Sequence, residues 1–586
     1  MPFHNIKNRM FDKKTSTTVS VHEEEALESG NSSINNSGVQ QLSYDGTDYK
    51  PGEALEVDED DINNVHRGMK SRHILLIGIG GCIGTGLFVG TGANLAKTGP
   101  APLLMSYLLM SFAIWSVMNN LSEMATYLPL KGVSISGFVS RYADDSLGFA
   151  CGYNLFYTFA IMVATEVTAV GLIIEYWNDE IHIAIFMTVF LAAIVILNFL
   201  PNKYFGEMEF WFALIKVLCI LGLIVVGIVI FFGGAPSHDR IGFRYWKNPG
   251  AFAERITPGA GGRFLDVWTA LILSGFSFIL GPELIITAAA EAKRPRYNIP
   301  KVANSFIWRI MFFYIAGSLV VGCTVPYNHP RLLSGGSNAS ASPYVIAIQS
   351  AGIKVLPDII NACILTSAWS AGNAYMFSGS RMLLQLAKVG QAPQIFNRVN
   401  KYGVPWTCMI LVSAISCLAY LNVSAGSAKV FTWLSNLCTI SGFISWLCSS
   451  VAFLRWRKAM ILQGRWDSRP YKTALQPYAT YYALFLLGMV VLTNGYDVFI
   501  KGRWDTATFI AAYVTIPPFV ILWLGHKFFF NKHKRLLRPL SEIDLVTGLQ
   551  AVEAEAEKDF FEIEQERATS TAFNNPFLRA FHYILY

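Results

Sequence analysis

The sequence predicts an all-α polytopic membrane protein with twelve transmembrane helices, on three observations. Apolar residues make up 53% of the 586 and charged residues only 15%, where a soluble domain carries about 25% charge. Apolar runs near the roughly 20 residues that cross a bilayer recur through the middle of the chain. Two of those runs, at corresponding positions, are interrupted by glycine or proline.

The candidate spans lie near 74–96, 101–128, 147–175, 183–200, 208–232, 266–290, 304–326, 355–387, 405–422, 430–455, 478–497 and 507–529. Ahead of them, residues 1–70 are rich in Ser, Asn, Asp and Glu and have no apolar core of a signal peptide. They read as a disordered tail, because they cannot bury enough apolar surface to offset the entropy of ordering. The membrane domain is 71–530, divided into a first repeat (71–232), a second repeat (264–456) and two further helices (476–530). Residues 531–586 form a C-terminal tail.

Lys and Arg near span ends set the orientation. Arg67, Lys70 and Arg72 precede the first span; Lys293, Arg294, Arg296 and Lys301 follow the sixth; Arg455, Arg457, Lys458, Arg465, Arg469 and Lys472 follow the tenth. With twelve spans all of these fall on one side, together with Lys532, Lys534, Arg535 and Arg538, so both tails are expected in the cytoplasm. The long loop 237–263 is basic on the opposite side and dissents. The sequons at Asn338 and Asn422 then lie outside, while the one at Asn35 lies in the cytoplasmic tail. An acidic run from Glu553 to Glu566 reads as a solvated helix face, with a contact to the basic inner loops as the alternative. Lys13 and Lys14 in the N-terminal tail are expected to be exposed and able to accept ubiquitin from ubiquitin-ligase machinery.

The first span, Arg72–Ala96, carries glycine at 78, 80, 81, 84, 86, 90 and 92. Each glycine inside a helix costs about 1 kcal/mol against alanine, so a plain anchor would not be built this way. Close helix packing and a deliberate break are the two uses for such glycines. The sixth span carries Gly275 and then Gly281–Pro282–Glu283. Proline lacks the backbone donor and clashes with the preceding turn, so this helix is expected to open just before Pro282. If spans one to five and six to ten are inverted halves, the two broken helices are partners, which is the strongest sequence-level pointer to a transporter binding site. Half-helix N-termini offer N–H groups to an anion and freed carbonyls receive a cation. An amino acid has both charges on adjacent atoms.

Four ionisable residues stand out inside the spans, where a charge costs at least about 2.5–3.5 kcal/mol on insertion scales. Lys216 in the fifth span and Glu283 after the sixth-span break are candidates for proton coupling. Glu166, mid-span in MVATEVTAV, is a candidate for lining the cavity, and Glu123 for joining helices on the inner half. Nine cysteines lie in or beside apolar segments with no CxxC pair and no neighbouring histidine cluster, against a disulfide framework or a zinc site. No nucleophile elbow, phosphate loop or metal-ligand spacing points to an enzyme, and nothing points to nucleic acid.

The stretches GGCIGTGLFVG (80–90), SEMATYLP (122–129), RYADDSLGFACGYN (141–154), FSFILGPE (276–283) and SPYVIAIQSAGIKVLP (342–357) resemble the fungal amino-acid permeases of the amino acid–polyamine–organocation superfamily. ILTSAWSAGNAYMF (364–377), GGAPSHDRIGFRYWKNPGAF (233–252) and SEIDLVTGL (541–549) look most like the branch carrying proline and small neutral amino acids; part of the second also looks like the dicarboxylic branch. The resemblance implies a LeuT-like core of ten helices in a 5+5 inverted repeat, discontinuous helices one and six, and proton-coupled uptake at the plasma membrane. The proton is the coupling ion and no other cofactor is implied. Carried over by motif, Ile83, Gly84, Thr85 and Gly86 would hold the substrate carboxylate, Phe276 would gate the site, and the Ser277 carbonyl would receive the ammonium. Gly281 belongs with these ligands, and Trp369 and Asn373, with Thr439 or Ser441, would complete the cavity. Lys216 stands where sodium-coupled relatives place a cation between spans one, five and eight. A permease for acidic or many amino acids, and a non-transporting sensor on the same fold, are the alternatives.

Overall fold

Helices dominate the described segments, and no strand occurs among them. The computed structural model describes residues 84–129, 134–177, 180–200, 202–283, 286, 294–333, 342–400 and 402–569. Ile83, the N-terminal tail with Lys13 and Lys14, and the sequons at Asn35 and Asn338 lie outside the described residues.

A π-helical turn, Gly86–Gly90, leads into α1 (Thr91–Thr98). After it come α2 (Pro100–Tyr127), α3 (Ile135–Tyr142), α4 (Asp145–Ile174), α5 (Ile183–Asn198), α6 (Asn202–Phe232) and α7 (Ala260–Phe278). The second half holds α8 (Pro295–Thr324), α9 (Pro343–Ser350), α10 (Leu356–Lys388), α11 (Trp406–Ser416) and α12 (Ser427–Leu462). Then follow α13 (Tyr478–Thr493), α14 (Thr506–Tyr513), α15 (Ile516–Phe530) and α16 (Leu549–Thr569). Local chemistry sets several starts. Proline opens α2, α8, α9 and α10, where its missing N–H has no partner to lose. Gly99, at φ 91°, makes the turn from α1 into α2; a Cβ there would lie 2.8 Å from the Ala251 carbonyl oxygen. Asp144 caps α4 by accepting from the N–H groups of Ser146 and Leu147.

Seven helices among the described residues are long and apolar enough to cross a membrane. The eleven sequence-predicted stretches from 101–128 to 507–529 each coincide with helix, and the first is only partly described. Burial sorts them. The apolar window of α4 is 94% buried, against 39% for Phe205–Phe232 and 17% for Thr506–Phe530, so α4 is the central post and the latter two present apolar sides outward. Trp211, Leu218, Val225 and Phe232 are exposed at two-turn spacing on α6, an apolar stripe that suits lipid and not water. Around α4 pack α10, α12, α3, α15 and α5, while α2 packs on α8, α7 and α13.

The interruption of the sixth span falls slightly earlier than proline alone suggests. α7 ends at Phe278, Ile279 is extended (φ −58°, ψ 142°), Leu280 takes φ 65°, and helix resumes at Gly281. The reason is geometric. The ring of a proline clashes with the carbonyl four residues back, which for Pro282 is that of Phe278, where the helix stops. Pro282 then occupies the first turn of the resuming helix, a favoured place for it.

One expectation about the polar ends changes. Glu123 does not join helix to helix: it accepts from Arg469 Nη1 at 3.0 Å and from the Thr473 N–H at 2.8 Å, tying α2 to the loop after α12. The C-terminal stretch is docked. Arg141 donates to the carbonyls of Asp544 and Thr547 and pairs with the Asp544 carboxylate at 2.9 Å. Tyr127 donates to the Leu545 carbonyl at 3.0 Å, and Ile543 and Leu545 are buried. One acid of the C-terminal run, Glu562, pairs with Arg294 at 2.9 Å.

Candidate functional site

The π turn and the end of α7 meet backbone to backbone. A Cβ added to Gly86 would lie 2.6 Å from Ser277 Cα, closer than real side chains approach. Only glycine allows that approach, and it puts the two glycine-bearing helices in direct contact at Gly86 and Ser277. Side chains of three other helices hold the junction. Tyr107 of α2 bonds both Thr91 Oγ1 (2.9 Å) and Ser277 Oγ (3.0 Å) through its hydroxyl. Tyr314 of α8 donates to the Ser277 carbonyl. Ser342, at the residue before α9, donates to the Phe88 carbonyl at 3.0 Å, which accommodates the irregular pitch of the π turn.

Thr85 donates to Glu166 Oε1 at 3.0 Å, with both side chains buried. This bond joins the π turn to α4. The other carboxylate oxygen of Glu166 is buried with no hydrogen-bond partner among the described residues. Gly84 lies beside it, since a Cβ there would sit 3.8 Å from Glu166 Oε1. Phe276, one residue before Ser277, meets Phe431 of α12 edge to face at 5.5 Å. So Gly84, Thr85, Gly86, Glu166, Phe276 and Ser277 are brought together, with Gly281 buried just past the interruption.

Other sequence-predicted residues go elsewhere. Trp369 is half-buried with its ring edge to face against Phe190 (6.2 Å) and Phe212 (5.4 Å), side chains of α5 and α6. Asn373 accepts from Asn198 of α5 at 2.7 Å. Ser441 donates to Asn154 Oδ1 at 2.9 Å and so locks α12 to α4. Thr439 donates to the Ser435 carbonyl in its own helix. Residues of this kind favour helix-to-helix bonds because a polar group in an apolar core needs a partner. The Ser277 carbonyl, expected to face an ammonium, already accepts from Tyr314, leaving one lone pair.

Lys216 is buried on α6, 3.9 Å from Glu209 of the same helix. Glu209 Oε2 accepts from Ser370 of α10 at 2.9 Å. Glu283 is buried after the interruption and accepts from Trp446 Nε1 of α12; its second oxygen has no partner among the described residues. Sequence reasoning passed over Tyr107, Tyr314, Phe431, Trp446 and Glu209. The aromatic residues give no signal in an apolar span. Glu209 does, standing seven residues before Lys216, two turns along one helix face.

A family model described as amino acid permease matches residues 73–538. That span covers most of the chain, including both glycine-bearing spans. The chain belongs to the amino acid permease family. It is therefore a multi-pass membrane transporter and not an enzyme, as the sequence motifs implied. Two relatives are a proline-specific permease of Emericella nidulans, 50% identical over 87% of this chain and 93% of its own length, and a proline-specific permease of Saccharomyces cerevisiae, 47% identical over 88% and 83%. A dicarboxylic amino acid permease of Saccharomyces cerevisiae is 39% identical over 85% of this chain and 83% of its own.

Proposed function

We propose that this permease imports L-proline and other small neutral amino acids with a proton, by alternating access, at the plasma membrane. The observation that carries the reading is the contact of the Gly86 turn with the interrupted end of α7, backed by the Thr85–Glu166 bond. The first N–H groups of a helix and the last carbonyls of another have no partners within their own helices. Brought face to face, they match the two charges of an amino acid. The N–H groups of Ile83–Gly86 hold the carboxylate, and the carbonyls of the last turn of α7, with the open oxygen of Glu166, receive the ammonium. Phe276 closes over the ligand against Phe431. The proline preference rests on the proline-specific relatives at 47–50% identity, compared with 39% for the dicarboxylic one.

The architecture that fits is twelve helices with a LeuT-like 5+5 core and both termini in the cytoplasm, where ubiquitin-ligase machinery reaches the tails. Lys216 serves as the proton-linked group, and Glu283 as a second acid behind the interruption. The test is uptake of radiolabelled proline in a permease-deficient strain, with twenty unlabelled amino acids as competitors. Proline, alanine and other small neutral amino acids are expected to compete. Competition by aspartate and glutamate alone would assign the chain to another substrate class. Surface expression with no uptake of any amino acid would make it a sensor.

A further inference from the structure

The stretch after α15 holds no substrate, yet it is fastened to the bundle along its length. Ile543, Leu545, Leu549 and Val552 are buried and join the hydrophobic core. The root of the stretch is on α4. Lys527 of α15 pairs with Asp144 at 2.5 Å, both side chains being buried. Arg538 donates its N–H to the Ala143 carbonyl at 3.0 Å and pairs with Asp145 at 2.9 Å. The chain then passes the end of α12, where Gln463 donates to the Ile543 carbonyl at 2.9 Å. Next it passes α3, where Arg141 takes the carbonyls of Asp544 and Thr547 and the Asp544 carboxylate. Its far end reaches other helices. Tyr127, the last residue of α2, donates to the Leu545 carbonyl at 3.0 Å, and Glu562 of α16 pairs with Arg294, just before α8, at 2.9 Å.

These anchors belong to separate groups. α2, α7 and α8 pack together, while α3, α10 and α15 pack on α4, with α12 between the groups. Arg296 of α8 donates to the Tyr127 carbonyl at 2.9 Å and so ties the ends of the first group to each other. That group carries the interrupted end of α7 that meets Gly86. Alternating access moves one group of helices against another around the site, and the stretch crosses the line where these two would part. Its two ends differ in strength. The root has a buried ion pair and several bonds, whereas the far end has one hydroxyl and an ion pair whose Glu562 side chain is 64% exposed, a kind that contributes little. We propose that residues 538–562 form a strap that holds the inner ends of the two groups together and unclips at Tyr127 and Arg294 when the site opens inward. The inference rests on the alternating-access reading.

Ile286, 2% exposed, lies between the interruption and Arg294, on the strap's side of the site. In the full chain with Ile286→Cys, solubilised in detergent, the rate of labelling by a charged methanethiosulfonate reports opening at that end. The same variants with Ile286 retained give the background of the native cysteines. Tyr127→Phe, which keeps the ring edge to face on Trp456 at 5.8 Å, should raise the rate roughly fivefold, the worth of one hydrogen bond. Adding Glu562→Gln should raise it further. Adding Arg141→Ala to that pair should change nothing more, since a strap already released at one end is no looser when cut at the other. Lys534→Ala removes an ion pair with Asp145 that stays at the root and should label as the parent does. A parental rate with both clips removed, a further rise on adding Arg141→Ala, or an equal rise in Lys534→Ala would overturn the proposal. Should the paired variant not fold, Tyr127→Phe alone decides by the same measure. Saturating proline separates the two readings, because alternating access requires it to change labelling of the parent. Labelling that answers proline and not the clip variants removes the strap; labelling that answers the clip variants and not proline keeps the strap and removes alternating access.

Discussion

Gly86→Ala tests whether the contact between the π turn and α7 carries transport. The added methyl group would sit 2.6 Å from Ser277 Cα and 3.1 Å from the Ser277 backbone nitrogen. Both are backbone atoms and cannot swing aside as a flexible side chain does. Forcing extra volume into a packed contact costs about 1–3 kcal/mol, and that cost applies only while the two helices lie together. The population of that arrangement should fall roughly 5- to 150-fold, with Vmax for proline uptake falling alongside and surface abundance maintained. Gly90→Ala is the matched control. Its methyl group would meet Phe276 at 3.8 Å, ordinary contact distance, and alanine also lowers the entropy of the unfolded chain. It should transport near the parental rate. Parental uptake by Gly86→Ala, or an equal loss in Gly90→Ala, would show that Gly86 acts by something other than this contact.

Three further outcomes are expected. Thr85→Ala removes the hydrogen bond to Glu166, worth about 1.5–3 kcal/mol for a charged acceptor, so KM for proline should rise tenfold or more while Thr85→Ser stays near the parent; an unchanged KM in Thr85→Ala would remove Glu166 from the site. Trp446→Phe takes away the hydrogen bond to Glu283, leaving a buried carboxylate at a cost of about 1–3 kcal/mol, and the detergent-solubilised protein should melt at a lower temperature, with Glu283→Gln in the same background giving back part of the loss. The third concerns Asp544 and pH. Burial pushes its carboxyl up, but the N–H groups of Thr547 and Val546 and the Arg141 guanidinium outweigh this and hold it below the usual 3.8. Because the folded value is the lower one, the stabilisation is complete above about pH 4 and is lost as pH falls through the depressed folded value. Limited proteolysis of the C-terminal stretch should therefore begin only in strong acid, and in Arg141→Ala at a less acidic pH.

The interruption of the sixth span was legible because glycine and proline act locally. Gly281–Pro282 announces a break, and the clash of its ring with the carbonyl four residues back places the break at Phe278–Leu280, slightly upstream of the proline itself. What a side chain meets across the bundle is not local. Trp369 reads equally well as a pocket wall or as packing, and nothing in the sequence shows that its ring meets Phe190 and Phe212. Glu123 looked like a helix-to-helix bond because nothing in the sequence shows that the loop at Arg469–Thr473 folds back onto α2. Glu209 is different. Its seven-residue spacing from Lys216 is visible in the sequence, but it shows only when buried charges are weighed in pairs instead of singly.

The junction at Gly86 also explains why the tyrosines of α2 and α8 stand where they do. Irregular backbone inside a membrane is tolerated only where its polar groups find partners within the protein or face a wet cavity. The π turn and the end of α7 both break the regular ladder, at the same place. Tyr107 bridges the two through Thr91 and Ser277, Tyr314 takes the Ser277 carbonyl, Ser342 takes the Phe88 carbonyl, and Asn94 donates to the Ala270 carbonyl at 3.1 Å. These donors come from helices that supply no substrate ligand, apart from Asn94 in α1 itself. They remove some of the loose polar groups and leave others open, among them one oxygen of Glu166. A site that were fully satisfied could not bind, and one left wholly unsatisfied could not persist in an apolar bundle. The aromatic side chains that carried no signal in the sequence therefore decide which backbone groups remain available to an amino acid.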